Sequence, residues 1–275
     1  MNRLFAILCM ASSLLFHTSC GDSVMDLENQ GVEMKTRAVD SRVQNLIELA
    51  RNGDVEACKS LALCYRDGDG VEKSWFNTIC MYAIYTQKTG GDIKRVEELF
   101  EKESHLMLLY KILDSSPEND FEAKLQQLKQ FAPAEAKALE VAKKVFSMND
   151  AAIGMSTIRE AEAEGSELAA VLQVMYYDKT NDKTGLEECL IRVAEKYPFF
   201  NLLLGELYAE NYHENNDFSY IQKAIDCFYK ADAHGMLIPK YANKLCRMYA
   251  CFGEKGLLEC DKQEIERLKI LCKIY

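Results

Sequence analysis

Proline and glycine are scarce in this chain, with four prolines and fourteen glycines among 275 residues. Both residue types mark turns, and a fold made of many short strands needs turns at regular intervals. Apolar residues make up 48% of the chain and charged residues 28%, which is typical of a packed globular protein and excludes a disordered one. The composition therefore favours a helical protein over a turn-rich β fold.

The chain also lacks an excess of basic residues. It carries 33 Lys and Arg against 43 Asp and Glu, a formal net charge of −10. An acidic surface repels phosphate backbones, and no basic stripe with interleaved aromatic residues offsets that repulsion. We therefore expect no nucleic-acid partner.

The motifs of common catalytic and metal sites are missing as well. No Cys-x-x-Cys occurs, so neither a thioredoxin-type redox site nor a zinc knuckle is indicated. His105, His213 and His234 are scattered and form no His-Glu-x-x-His pair. The segment around Gly154 lacks the second glycine of a nucleophile elbow, and the acidic run Glu160–Glu164 is interpreted as a solvent-facing helix surface. We predict no catalytic residues, no metal, no cofactor and no enzymatic activity.

One acidic loop, Arg-Asp-Gly-Asp-Gly at residues 66–70, invites a calcium hypothesis. An EF-hand loop needs oxygen ligands at positions 1, 3, 5 and 12 around a glycine at position 6. With Gly70 at position 6, positions 1 and 12 become Tyr65 and Phe76, which carry no carboxylate. The loop also lacks the Gly-Lys-Ser ending of a phosphate-binding loop. We interpret it as a turn between helices.

Long apolar runs are confined to the N-terminus. Asn2-Arg3 is followed by an apolar run, Leu4–Phe16, that is too short to span a bilayer and is typical of a secretory signal. The run and the following His-Thr-Ser-Cys-Gly-Asp resemble a bacterial lipoprotein signal, similar to those of Bacteroides-type lipoproteins. The resemblance implies a signal peptide at residues 1–19 and acylation of Cys20, which would become the mature N-terminus.

This resemblance also implies a location. The protein would be exported and lipid-anchored in the cell envelope, at the outer membrane on its periplasmic or surface side, with residues 20–41 as a flexible tether. His17 stands where such signals usually have an aliphatic residue. The alternative is a plain cleaved signal that leaves Cys20 as an ordinary thiol.

Nine cysteines follow Cys20, and an odd number in an exported chain leaves at least one thiol free or paired between molecules. They are Cys58, Cys64, Cys80, Cys189, Cys227, Cys246, Cys251, Cys260 and Cys272. Most stand among Leu, Ala and Tyr at helical spacing, where free cysteine behaves as a small buried apolar residue. We favour buried thiols, with one or more disulfides as the alternative.

Apolar residues recur at three- and four-residue steps beyond residue 42, which predicts helices throughout. Asp54 can cap a helix that ends at Gly68, and Ser74 can cap a second helix that ends at Gly90. The further predicted helices are 92–113, 119–131, 133–147, 151–164, 166–178, 184–196, 198–212, 217–233, 238–251 and 261–275. No alternating, strand-like run competes, so the predicted class is all-α.

An irregular repeat runs through these helices. A glycine, an alanine four residues later and a tyrosine twelve residues later occur twice, and looser copies follow. The residues that carry the pattern are Gly53, Ala57 and Tyr65; Gly165, Ala169 and Tyr177; Leu204, Gly205 and Tyr208; and Leu245 and Tyr249 after Gly235.

The clearest copy, NGDVEACKSLALCYRDGDGVEKSW, resembles a Sel-one-like repeat, a helix-pair family related to tetratricopeptide repeats. The positions that match are Ala57, Leu61, Tyr65, Gly68, Gly70, Val71 and Trp75 in this copy, and Ala224, Phe228, Ala231 and Gly235 in the closing helix AIDCFYKADAHG. Ala62 replaces the usual glycine of the family, and Cys227 stands at its usual tryptophan.

The resemblance implies a right-handed solenoid of stacked antiparallel helix pairs over residues 42–275. Its repeats are clearest at about 43–90, 163–212 and 213–251, it is irregular in the middle, and 261–275 is a closing helix. Solenoids of this kind bind proteins or peptides, so we expect a non-catalytic scaffold with a protein or peptide partner. The alternatives are a carboxylate-dependent envelope glycan-binding protein or hydrolase, and a protein that uses an unpaired thiol.

Overall fold

The computed structural model describes residues 40–90, 99–100, 108, 121–148, 151–259 and 261–272, without the side chains of 143–148 and 151–153. Twelve named α-helices lie within these ranges, and no strand occurs there, which confirms the all-α class. They are α1 Ser41–Arg51, α2 Val55–Asp67, α3 Trp75–Thr89, α4 Phe121–Phe131, α5 Pro133–Met148, α6 Ala151–Ala163, α7 Glu167–Lys179, α8 Lys183–Lys196, α9 Phe200–Asn215, α10 Phe218–Asp232, α11 Pro239–Gly253 and α12 Lys262–Cys272.

The predicted helices from α4 onward agree with the observed ones to within about three residues at each end. Pro133 and Pro239 are the first residues of α5 and α11, the position where a helix tolerates a missing N–H. The helix α1 begins within one residue of the predicted start of the domain at residue 42, and no separate helix is predicted there. The predicted helix 92–113 falls almost entirely outside the described residues.

The predicted caps of the first helix pair are confirmed. The Asp54 carboxylate accepts a hydrogen bond from the amide of Ala57 at 3.0 Å, at the start of α2. Gly68 ends α2 in the left-handed conformation, with φ +71°. The Ser74 hydroxyl accepts from the amide of Asn77 at 3.0 Å, at the start of α3. The loop between these helices is therefore fixed by its own sequence.

The first pair packs directly on helices that come much later in the chain. The ring of Phe76 on α3 stacks on that of Phe200 on α9, with centroids 4.9 Å apart, and meets Tyr197 edge-on at 5.6 Å. Buried residues from 43–100 and 170–272 form one apolar cluster, the main core. The two ends of the described chain thus share a single core.

An ion cluster joins the same two ends. The Asp232 side chain is 1% exposed and accepts from the Arg51 guanidinium at 3.1 Å and from that of Arg267 at 2.8 Å. Arg267 also donates to the backbone carbonyl of Arg51 at 2.9 Å. These three residues, named here the end clasp, hold α1 against α10 and α12.

A second, smaller cluster, the middle core, belongs to α4–α7. Leu125, Leu128 and Ile158 are almost fully buried within it, together with alanines of α5, α6 and α7. Trp75 and Tyr177 pack against both cores. The helices of the middle part are thus attached to the main core along α3 and α7.

None of the helices in the described ranges has the length and apolar character that crossing a bilayer requires.

Candidate functional site

A cleft between α7, α8 and α9 is the candidate site, named here the α7–α9 groove. Its cavity volume is about 40 Å³, and the cleft opens to solvent. It is lined by Val174, Tyr177, Asp178, Asn181, Asp182, Lys183, Leu186, Leu190, Leu203, Leu207 and Glu210.

The tight turn between α7 and α8 shapes one end of the groove. Asn181 takes a positive φ of 55°, a conformation that asparagine tolerates better than most residues. Asp182 then caps α8 by accepting from the amide of Gly185 at 2.9 Å. A Cβ at position 185 would lie 2.5 Å from the Tyr177 ring, so only glycine leaves that ring room at the groove wall.

The floor of the groove is apolar. Val174, Leu190 and Leu203 are at most 6% exposed and also belong to the main core. Leu186 and Tyr177 are only partly buried and face the same space. The groove therefore offers a firm apolar surface that a side chain of another molecule can cover.

The rim of the groove is acidic. Asp178, Asp182 and Glu210 line it against one cation, Lys183, whose Nζ is 2.6 Å from the Glu214 carboxylate. Burial raises the pKa of the Asp178 carboxyl. No side chain within the described ranges pairs with the Asp178 carboxylate. A positively charged group arriving at the rim would be attracted, and it would offset the partial loss of water around Asp178.

Most of the repeat-signature residues lie in the cores rather than at the groove. The following are at most 7% exposed: Ala57, Leu61, Tyr65, Ala169, Leu204, Tyr208, Ala224, Phe228, Ala231 and Leu245. Val71, Trp75, Tyr177 and Tyr249 are partly buried. Tyr177 is the one among these signature residues that lines the groove.

Backbone conformation or close packing explains why glycine stands at the signature positions. Gly53, Gly68, Gly70, Gly165 and Gly235 all have positive φ, which other residues rarely adopt. At helical Gly205, an added Cβ would lie 2.6 Å from the ring of Phe228. These residues therefore shape turns and close helix contacts.

The two aspartates of the 66–70 loop, considered above as calcium ligands, each form an ion pair with an arginine. Asp67 pairs with Arg66 at 2.7 Å, and Asp69 pairs with Arg42 at 2.5 Å. Both contacts tie the 66–70 loop to neighbouring helices or to itself. Among the described residues no group of three His, Cys, Asp or Glu side chains is arranged to hold a metal ion.

The prediction that all of Glu160–Glu164 faces solvent was wrong for Glu162. Glu160 and Glu164 are exposed and pair with Lys137. Glu162 is only 21% exposed and contacts Arg192 and Gln173. Its helix face is covered by α7 and α8, a tertiary contact that the local sequence does not reveal.

Two buried carboxylates, Glu135 and Glu167, were missed by the sequence reading. Glu135 on α5 accepts from the Ser166 hydroxyl at 2.5 Å and from the amides of Glu167 and Leu168, so it caps the start of α7. It also accepts from the Trp75 indole at 2.9 Å. One carboxylate thus fixes three elements at the boundary of the two cores.

Glu167, at the start of α7, caps a helix from another element in the same way. Its carboxylate accepts from the Ser74 hydroxyl at 3.1 Å and from the amide of Phe76 at 2.7 Å, so it caps the start of α3. Burial, and the nearby charge of Glu135, raise the pKa of Glu167 to about 7, although these hydrogen bonds oppose the rise. Both residues are 7% exposed, and both carboxylates are engaged as helix caps.

The eight described cysteines are free thiols. Cys58, Cys64, Cys80, Cys189 and Cys227 are buried, as the helical spacing predicted; Cys246 and Cys272 are partly exposed, and Cys251 is exposed. Cys260, the predicted lipid attachment residue Cys20 and His105 lie outside the described residues.

No family model, curated protein or solved structure matches the chain.

Proposed function

We propose that this protein is a non-catalytic lipoprotein of the cell envelope that binds a protein or peptide segment in the α7–α9 groove. The observation that carries the proposal is the combination of an apolar floor and an acidic rim in one cleft. Residues 1–19 direct export, Cys20 carries the lipid, and residues 20–41 tether the helical domain.

The helix pairs belong, in this proposal, to a right-handed Sel-one-like solenoid. Consecutive helices joined by short turns pack on each other, as in α2–α3 and α9–α10. Unlike an open solenoid, in which each repeat contacts only its neighbours, this array would also join α1 to α10 and α12 through the end clasp. In such an array, grooves between successive helices become binding surfaces.

The chemistry of the groove specifies its occupant. The apolar floor fits one side chain of about the size of leucine. The carboxylates of Asp178, Asp182 and Glu210 favour a lysine or arginine beside it. We therefore propose a peptide segment in which an apolar residue stands next to a basic one.

Selection of displayed random peptides on the purified protein tests this occupant. We expect the selected peptides to share an apolar residue next to Lys or Arg. Leu186→Lys places a charge on the floor and should weaken their binding by about tenfold or more, roughly 1.4 kcal/mol. Asp178→Asn should weaken it by a few-fold and reduce its dependence on salt.

Two matched control variants make the same kinds of change outside the groove. Ile191→Lys makes the same change at a 46% exposed position of α8 that does not line the groove. Asp226→Asn neutralises an exposed carboxylate on α10. Both should bind the peptides as the unaltered protein does. Selected peptides without this pattern, or binding that is indifferent to Leu186→Lys, would refute the groove as the site.

Lipid attachment has its own test. In cells of the source species supplied with an alkyne-tagged fatty acid, the unaltered protein should become labelled and Cys20→Ala should not. Equal labelling of both would show that another residue carries the acyl chain, and no labelling would support the plain-signal alternative.

A further inference from the structure

A short stretch of the tether carries the residue pattern that the α7–α9 groove favours. Residues 33–39, named here the 33–39 segment, read Glu-Met-Lys-Thr-Arg-Ala-Val. Met34 stands next to Lys35, and Arg37 stands next to Ala38. Lys35 and Arg37 are the only basic residues of the tether. The chain therefore contains, directly before its helical domain, a peptide of the kind proposed for the groove.

The spacing within this segment fits the two surfaces of the groove. Successive side chains of an extended chain point to opposite faces. In that conformation Lys35 and Arg37 share one face, and Met34, Thr36 and Ala38 share the other. The groove combines an apolar floor with a rim that carries three carboxylates. An extended 33–39 segment can therefore match both surfaces at once, and the charges of the two partners are complementary.

The structure also places the end of this segment near α8. The amide of Asp40 donates to the carbonyl of Gly70 at 3.3 Å. Glu72, two residues later, pairs at 3.8 Å with Lys196 at the C-terminal end of α8. Leu190 of the groove lies about 9 Å further along that helix. The seven residues before Asp40 extend to about 23 Å, so the length of the segment is on the scale of the distance to the groove.

We propose that the 33–39 segment docks in the α7–α9 groove of its own chain and that an external partner must displace it. This inference rests on the proposed function, because it uses the same groove and the same peptide pattern. Met34 covers the apolar floor, and Lys35 and Arg37 meet the carboxylates of the rim. A short flexible connection gives such a segment an effective concentration of about 1 mM, so a contact with a dissociation constant of about 1 mM fills about half of the grooves.

Docking of this kind sets a threshold for partners. The apparent affinity of an external peptide falls in proportion to the fraction of grooves that are open. Weakly binding segments are therefore excluded, and a partner with more extensive contacts releases the tether when it binds. Salt screens the charges of the segment and the rim, so it should open the groove as well.

Intrachain photo-crosslinking tests the docking. The purified full chain carries a photoreactive amino acid at position 186 and is irradiated as an equal mixture of normal and heavy-isotope protein. Mass spectrometry of the digest should show crosslinks from position 186 to the 33–39 segment within chains of one isotope. The same group at position 191, outside the groove, should give none. The double variant Lys35→Glu/Arg37→Glu should lower the yield about tenfold.

A control variant changes two charges of the same tether outside the segment. Asp26→Asn/Glu28→Gln should leave the yield of the crosslink unchanged, because neither residue belongs to the 33–39 segment. All of these tether positions precede the described helices, and circular dichroism checks that each variant keeps the helical fold.

A synthetic peptide of the 33–39 segment provides a measurement in which position 186 is unaltered. Fluorescence anisotropy of the labelled peptide gives its Kd for the full chain. We expect Lys35→Glu/Arg37→Glu to bind this peptide about fivefold more tightly than the unaltered chain, because its groove is open. Asp26→Asn/Glu28→Gln should bind it as the unaltered chain does.

Four results would overturn the docking: crosslinks only between normal and heavy chains, no crosslink to the 33–39 segment, equal crosslinking from position 191, or equal peptide affinity in the unaltered chain and Lys35→Glu/Arg37→Glu. If one of them occurs while the selected peptides still bind the groove, this inference fails and the proposed function stands. If the intrachain crosslink forms but the selected peptides lack the pattern, the groove serves its own chain and the proposed function fails.

Discussion

The main core and the middle core are built differently. The main core joins residues 43–100 to residues 170–272 and contains stacked aromatic rings, buried thiols and the end clasp. The buried part of the middle core, as far as the structure describes it, consists of Leu, Ala, Ile and Met side chains from neighbouring helices. The main core depends on contacts distant in sequence, and the middle core on local ones. The main core is therefore expected to set the global stability.

The boundary between the two cores is polar, and the carboxylates of Glu135 and Glu167 accept hydrogen bonds there. Glu135 caps α7, and Glu167 caps α3, so each helix start at the boundary is held by a carboxylate from another helix. Carboxylates are favourable there because the N-terminus of a helix carries unpaired amides and a partial positive charge. The α7–α9 groove is lined by Val174, Tyr177 and Asp178 near the C-terminal end of α7, so its geometry depends on how this boundary holds the helix.

The largest effect is expected from the end clasp. Asp232→Ala leaves Arg51 and Arg267 without their shared buried partner and should cost about 3–5 kcal/mol of unfolding free energy. Urea denaturation measures this loss of unfolding free energy. The control Asp226→Asn, at an exposed position, should change the unfolding free energy by almost nothing. A cost below about 1 kcal/mol would mean that the two arginines find other partners and that the clasp does not join the ends.

A matched pair of core truncations compares the two clusters. Leu61→Ala and Leu128→Ala each leave a cavity at a fully buried position. Each should lower the free energy of unfolding of its own core by about 2–5 kcal/mol. Leu61→Ala should lower the single transition of the whole domain. Leu128→Ala should instead separate an earlier transition of the middle helices, visible as non-coincident fluorescence and circular dichroism curves. Coincident curves for Leu128→Ala would show that the two cores unfold as one.

A smaller, pH-dependent effect is expected at the boundary. The pKa of Glu167 is raised to about 7 in the folded protein, above the ordinary value near 4.5. Between these values the folded state binds more protons than the unfolded state, so this group makes stability fall as pH rises from about 4.5 to 7, and not beyond. The loss is on the order of 1–3 kcal/mol.

Glu167→Gln keeps an acceptor for the start of α3 and removes the charge. It should flatten this part of the stability–pH curve, and Glu188→Gln on the exposed face of α8 should not. Denaturation at pH 5 and pH 8 measures the difference. An unchanged slope in Glu167→Gln would assign the pH dependence to other groups.

The smallest effect is expected at the 66–70 loop. Arg42 and Asp69 form an ion pair in which both side chains are more than half exposed. Solvent screening leaves such exposed pairs with little net stabilisation. Asp69→Asn should therefore leave the urea midpoint nearly unchanged. A clearly lower midpoint would give this surface loop a larger structural role than its exposure suggests.

The sequence predicted the helices well because their signals are local. Residue type and spacing alone predict that Asp54, Ser74 and Gly68 cap helices. The burial of Ala57, Tyr65 and Phe228 follows from the repeat pattern in the same way.

The groove and the buried polar contacts could not be predicted because they depend on which helices meet. Nothing around Asp232 indicates that two arginines, one near each end of the chain, will reach it. Glu167 follows a capping serine, as many exposed glutamates do, so its burial against α3 has no local signal. Leu186 and Asp178 become groove residues only when α7, α8 and α9 pack together.

Site-specific photo-crosslinking in intact cells tests the central claim, which is that the groove binds a protein segment. A photoreactive amino acid at position 186 should capture one protein of the envelope, and the crosslinked segment should contain an apolar residue beside Lys or Arg. The same group at position 191, on the same helix outside the groove, should not capture it. Capture from position 191 alone, or equal capture from both positions, would contradict the account.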